Sequence, residues 1–275
     1  MTVIVMTREM GTLGKDVALQ LSVEMGLGLI HHQLAEQDIA KRLSIDAGDV
    51  HRFLEGSPSL LDRWKIDENR LSQYTREEIL KLAQKGNVLI RGWGATYLLE
   101  DVPHVIRVRI CAPMTFRVKN MMDRLGIADP EVAQREIERN DAAHTRIMHH
   151  FFDRDWQDPL HYHLVLNTGC LPLSACVDQI RLLANNPTFK QTEHSRNVLA
   201  DKLIENQIRV AFEEDESSGL GGRSIDVVVE SGKVTLSGVA GMMSEIHAAE
   251  EIAQRVKGVT SVENEIVKLE MPYMP

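Results

Sequence analysis

Val3-Ile4-Val5-Met6-Thr7-Arg8-Glu9-Met10-Gly11-Thr12-Leu13-Gly14-Lys15-Asp16 carries an apolar run, a glycine loop and the start of a helix in one stretch. Val3 to Met6 has the length of a buried strand, and Thr7 to Leu13 reads as a loop. From Gly14 to Met25 the residues Val17, Leu21 and Met25 recur every four positions, with Ala18 beside them, which makes one apolar helical face. Strand, glycine loop and helix in that order open an α/β fold. Backbone N–H groups in such a loop, with the helix N-terminus behind them, hold phosphate oxygens without needing side-chain charge. Lys15 then sets an ammonium beside the β and γ phosphates. The strict phosphate-loop pattern, G-x-x-x-x-G-K-[ST], is half met. Glu9 stands where the first glycine belongs, and Asp16 where a hydroxyl ordinarily holds magnesium. On the motif alone, a tight turn beside a surface lysine is the alternative reading.

Outward from this stretch the same grammar repeats. His31 to Leu43 and Thr75 to Lys85 read as helices, the second stopped by Gly86-Asn87. Val88-Leu89-Ile90 and Val105 to Ile110 read as strands, Met114 to Leu125 and Pro130 to Phe151 as helices. Leu164-Val165-Leu166 reads as a short apolar strand before a helix from Leu173 to Leu183. Apolar strands alternating with amphipathic helices predict a parallel sheet with helices on both faces. Ligands then bind beyond the carboxyl ends of the strands, in the loops after Met6, Ile90, Ile110 and Leu166.

Asn185-Asn186-Pro187 breaks the pattern, and the polar stretch Lys190 to Arg196 reads as a linker. Beyond it come a helix (Val198 to Phe212), an acidic glycine-rich loop, a hairpin (Ile225 to Glu230, Ser231-Gly232, Lys233 to Gly238), a helix (Ser244 to Val256) and a strand (Ser261 to Leu269). The expectation is one domain over residues 1–186, a linker over 187–195 and a small α+β domain over 196–275.

Bulk properties bound the function. A chain of 275 residues accommodates two cores, and its formal charge of −9 argues against a generic nucleic-acid binder. Residues 195–275 hold 8 Lys/Arg against 14 Asp/Glu, so −6 of that charge lies there. Cys111, Cys170 and Cys176 lack CxxC spacing, so neither a disulfide framework nor a zinc knuckle is expected. No transmembrane segment is expected, and the N-terminus does not read as an export leader, which sets the expectation of a cytoplasmic protein.

Thr7 to Asp16 resembles the altered phosphate loop of the cytidylate-kinase-like family, in which an S/T-R-E segment precedes a glycine loop and a basic residue. The resemblance continues through Val88-Leu89-Ile90-Arg91-Gly92-Trp93-Gly94-Ala95, Cys111-Ala112-Pro113, Asp155-Trp156-Gln157-Asp158-Pro159 and Leu164-Val165-Leu166-Asn167-Thr168. It covers about residues 2 to 183. It implies a P-loop fold of the nucleoside-monophosphate-kinase type, ATP and Mg2+ as cofactors, and transfer of the γ-phosphoryl to a nucleoside monophosphate or another small phosphorylated substrate. Such catalysis is mostly positioning and charge neutralisation. Arg8, Gly11, Thr12, Gly14, Lys15, Asp16 and Arg117 are the candidates for holding ATP, with Lys15, Arg124 and Arg146 as catalytic candidates. Arg117 and Arg124 share one helical face, and Gly126 to Pro159 resembles the lid whose arginines close over the phosphates. Asp141 resembles the acid that orients a lid arginine by a bidentate ion pair.

The acceptor side departs from the family pattern. Gly92-Trp93-Gly94 replaces Gly-Arg-Gly, leaving Arg91 to substitute from one side while Trp93 is suited to stacking on a base. His31-His32 replaces an Asp-Arg pair, and His144 replaces the first lid arginine. Arg91, Trp93, His31 and Asp141 are therefore the substrate-side candidates, and a non-catalytic nucleotide sensor is the alternative to a working phosphotransferase. His161-x-His163 is expected to put two imidazoles on one face of a strand, but no further ligand has dependable spacing, so no metal site is expected among the histidines.

The second domain, from about Arg196 to Leu269, resembles a BON domain. It carries no nucleophile, base and acid constellation and is expected to be a regulatory or binding module. Its partner is expected to be another copy of the chain or a cytosolic protein, met through a sheet edge of the hairpin or final strand, rather than an anionic membrane.

Overall fold

The computed structural model describes residues 1–30, 33–54, 67–92, 94–220 and 225–269. It divides into two compact units, Met1–Leu71 with Lys85–Thr192, and Ser72–Gln84 with Glu193–Pro275.

The first unit is built on β1 (Val3–Arg8), β2 (Gly28–Ile30), β3 (Val88–Arg91), β4 (Val105–Cys111) and β5 (Leu164–Asn167). They form one parallel sheet in the order β2-β3-β1-β4-β5, with Val3 opposite both Val88 and Val105. Parallel neighbours need crossovers, and these are supplied by α1 (Gly14–Met25), α2 (Gln33–Leu43), α3 (Ala47–Leu54), α4 (Glu68–Lys85), the single turn α5 (Ala95–Leu98), α6 (Met114–Leu125) and α7 (Pro130–Phe152), while α8 (Leu173–Ala184) follows the last strand. Alternate residues of each strand serve opposite faces. Ile4 and Met6 of β1 and Ile106, Val108 and Ile110 of β4 pack with Val17 and Leu21 of α1 and Val177 and Ile180 of α8. The odd positions of β4 point the other way and carry Arg107 and Arg109, the latter buried.

The expected doubly covered parallel sheet is what forms, with three local differences. β2 and α3 were not anticipated, because Gly28–Ile30 is too short to show a period. α4 starts at Glu68, not at Thr75, its first turn capped by the Asp67 carboxylate, which accepts from the amides of Asn69 and Arg70. His161 and His163 do not share a strand face. Pro159–His161 is a 3-10 turn whose Asp158 side chain accepts from Leu160 N, and β5 begins only at Leu164.

In the second unit α9 (Glu193–Glu214) starts inside the stretch expected to be a linker, since Ser195 is buried despite its polar neighbours. It has two buried faces. Ile204, Ile208 and Phe212 enter the core of a three-stranded sheet, while Leu199, Leu203, Asn206 and Val210 lie on the other side. There Asn206 Nδ2 donates to Gln73 O at 3.1 Å and Tyr74 Oη donates to Glu214 at 2.9 Å, which explains why Ser72–Gln84 clusters with this unit. The sheet pairs β6 (Ile225–Glu230) antiparallel to β7 (Lys233–Ala240), and β7 parallel to β8 (Ser261–Lys268) through α10 (Met243–Arg255). The hairpin turn Ser231-Gly232 has positive φ at both residues, and both amides donate to the Asp201 carboxylate. α9 and α10 cover one face of this sheet, closing a small α+β core.

Candidate functional site

The loop between β1 and α1 turns twice through the left-handed region, at Gly11 (φ 82°) and Leu13 (φ 60°). A Cβ at Gly11 would lie 2.7 Å from the carbonyl oxygen of Arg117, so the loop backbone rests directly on α6. A Cβ at Gly14 would lie 2.8 Å from Cβ of Arg8. Both glycines are needed for close approach, and Gly11 for the turn as well. Thr12 is buried. Its hydroxyl donates to Glu9 O at 2.8 Å, and its carbonyl accepts from the Thr168 hydroxyl at 2.6 Å, at the end of β5. Asn120 Nδ2 donates to Gly11 O at 2.9 Å. No side chain caps the start of α1. The amides of Asp16 and Val17 donate to Leu13 O, and the start of the helix carries the positive end of its dipole.

Below the loop lies a buried charge network. Glu9 Oε1 accepts from Arg109 Nη2 at 2.6 Å, Oε2 accepts from Ala112 N at 3.1 Å, and Arg117 Nη1 lies 3.7 Å from Oε2. Arg117 is itself buried. Nε donates to Met10 O at 2.7 Å, and Nη2 donates to both Asp141 oxygens at 2.7 and 2.8 Å. The Arg109 guanidinium sits 5.3 Å from the centre of the Trp156 ring, which is fully buried and donates from Nε1 to Thr145. His144 stands edge-on to that ring at 4.5 Å. Burial, then the nearby Arg8 and Arg109 charges, push its imidazole down to about 4, so it is neutral at pH 7. For Asp141, burial raises the carboxyl above its usual range against the opposing pull of Arg117.

Above the loop is a cavity of about 470 Å3. Arg8, Gly11, Thr12, Gly14, Lys15, Asp16 and Arg124 all line it, with Asn120 and Asp123 opposite. Arg124 Nη1 lies 3.6 Å from Asp16 Oδ2, both side chains being about half exposed. The remaining candidates fall elsewhere. Arg117 and Asp141 lie beneath the loop, Arg91 ends β3, and Arg146 is exposed on α7 and is not part of the cavity lining. Trp93 and His31 lie outside the described residues.

Sequence reading assigned no role to Glu9, Arg109, Trp156 or Thr168. For Arg109 a signal was present: a charged residue at alternate positions of an apolar strand, where burial demands a partner. Thr168 had only its place after β5. Among the described residues no three His, Cys, Asp or Glu side chains are arranged to hold a metal ion, and no helix is long and apolar enough to cross a membrane.

The sequence model of the cytidylate kinase-like family matches residues 3–169, and that of the BON domain matches residues 200–268. No curated protein matches the chain. Among solved structures, an uncharacterized protein from Eubacterium ventriosum superposes with a TM-score of 0.54 at 19% identity, covering 68% of this chain and 99% of that one. Shikimate kinase from Bacteroides thetaiotaomicron gives a TM-score of 0.42 at 13% identity, covering 67% of this chain and 99% of the other. A gluconokinase from Sinorhizobium meliloti gives 0.41 at 15%, covering 70% and 98%.

Proposed function

The chain belongs to the cytidylate kinase-like family, and on that footing we propose that its first unit is an ATP-dependent phosphotransferase acting on a nucleoside monophosphate or another small phosphorylated acceptor. One observation carries the reading: seven of the residues expected to contact ATP or its phosphates line a single cavity over an uncapped helix start. The amides from Gly11 to Lys15 take the phosphate oxygens, and Lys15 and Arg124 neutralise charge as the γ-phosphoryl moves. The bond from the γ-phosphorus to the ADP oxygen breaks while one to the acceptor oxygen forms.

Asp16 is the residue suited to Mg2+. Its carboxylate is a hard oxygen donor at the first turn of α1, on the cavity wall, and Mg2+ sites commonly need only one or two carboxylates besides phosphate and water. The ion would supply charge neutralisation between the phosphates. Arg91, Trp93 and His31 are assigned to the acceptor. A reaction that consumes ATP needs a compartment holding it, so we assign the activity to the cytoplasm. The second unit is read as a regulatory or interaction module.

A nucleotide sensor without catalysis is the second reading. It is favoured by Trp93 standing between two glycines where the family carries an arginine, and by the position of Arg146 away from the cavity lining. A coupled ADP-release screen over nucleoside monophosphates and small phosphorylated metabolites separates the two. Turnover with one acceptor supports the enzyme. ATP binding without turnover on any acceptor supports the sensor.

A further inference from the structure

Among the described residues, α9 and α10 cover one side of the sheet of the second unit. Residues of β6, β7 and β8 that point away from α9 and α10 form an outer face, and among the described residues no helix packs on it. The register places Val228 beside Thr235 and Glu263, then Asp226 beside Ser237 and Glu265, then Val239 beside Val267. Val228, Val239 and Val267 are 53%, 47% and 65% exposed. Leu269 continues the face, its amide bonded to Ala240 O and its side chain exposed. β-branched residues side by side on an open sheet face differ from singly scattered surface apolar residues.

The charge on this face is one-sided. Asp226, Glu230, Glu263 and Glu265 are all exposed on it, against Lys233 alone among the described residues. The sheet edges are less available than the sequence suggested. Arg209 of α9 donates to the carbonyls of Ile225 and Val227 along β6, and on β8 the Asn264 side chain accepts from the amide of Ile266. Side chains that engage edge groups in this way discourage strand addition. The outer face, with its valines beside carboxylates, is the surface left.

We propose that this outer face docks a basic amphipathic protein segment, whose apolar side chains meet Val239, Val267 and Leu269 while its lysines or arginines meet Glu263, Glu265 and Asp226. Charge complementarity sets both attraction and partner choice at such a surface. The same carboxylates repel an anionic lipid headgroup or a nucleic-acid phosphate. The inference is independent of the phosphate loop and stands whether or not the first unit turns over.

The test uses the full chain and an amphipathic leucine–lysine peptide, with a leucine–glutamate peptide of equal length and phosphatidylglycerol vesicles as comparisons, followed by fluorescence anisotropy and flotation. The double variant Glu263→Lys/Glu265→Lys should weaken the lysine peptide by at least about tenfold. Val239→Ser/Val267→Ser should weaken it at unchanged charge. Glu131→Lys/Glu138→Lys, an equal charge change on exposed residues of α7, should leave it within about twofold. Unchanged circular dichroism of the variants keeps the comparison free of folding effects. Equal loss in the α7 variant, no effect of the valine pair, preference for the glutamate peptide, or binding to the vesicles in place of the lysine peptide would each overturn the proposal.

Discussion

Arg117 on α6 and Asp141 on α7 form a bidentate pair at 2.7 and 2.8 Å, while Nε of the same arginine holds the carbonyl of Met10 in the phosphate loop at 2.7 Å. One buried guanidinium thus ties α7 to the loop between β1 and α1. With these contacts made, Arg117 supports the loop from beneath and does not line the cavity. Asp141→Asn keeps the size and removes the charge, leaving Arg117 to Glu9 alone. Breaking one partner of a buried pair is costly. The variant should lose about 2 kcal/mol in urea unfolding. A loss below about 0.5 kcal/mol would mean that the pair is a surface-like contact.

Gly11→Ala tests the close approach. The added Cβ would meet the Arg117 carbonyl at 2.7 Å, and the backbone is at φ 82°. Strain of this kind costs about 1–3 kcal/mol and here must displace the loop itself. Magnesium–ATP affinity measured by calorimetry should fall at least about tenfold, with the unfolding of the second unit unaffected.

The acid limb of stability should carry a histidine signature. His144 is held near 4 in the folded chain, from 6.5, so between those values the unfolded chain binds more protons. Its contribution is complete above about pH 6.5 and is lost as pH falls toward 4, amounting to roughly 3 kcal/mol. His104, lowered by burial and then by the N-terminal ammonium, adds in the same direction. His144→Gln should therefore flatten the fall in urea midpoint between pH 7 and pH 4.5 without abolishing it. An unchanged slope would show that His144 titrates normally.

How far the sequence revealed this site depends on how local each part is. The strand, loop and helix from Val3 to Met25 are contiguous, and their period and glycines are legible without any tertiary knowledge. Glu9 was legible only as a missing glycine, because its partner Arg109 lies 100 residues away and supplies the reason for a carboxylate there. Arg117 read as a phosphate ligand since helical spacing places it with Arg124, yet it is buried against Met10 and Asp141 and does not line the cavity: spacing gives a face and says nothing of depth. The polar run before α9 read as linker for a related reason, since Ser195 is buried by contacts its own neighbours do not announce.

The central claim is that the loop from Arg8 to Asp16 binds a nucleoside triphosphate, and titration calorimetry of the full chain with magnesium–ATP tests it most directly. The wild type should bind one ATP per chain, and Lys15→Ala should weaken binding at least about tenfold, or about 1.4 kcal/mol. Equal affinity in the two proteins, or no heat of binding in the wild type, would contradict the account and leave the loop as a tight turn beside a surface lysine.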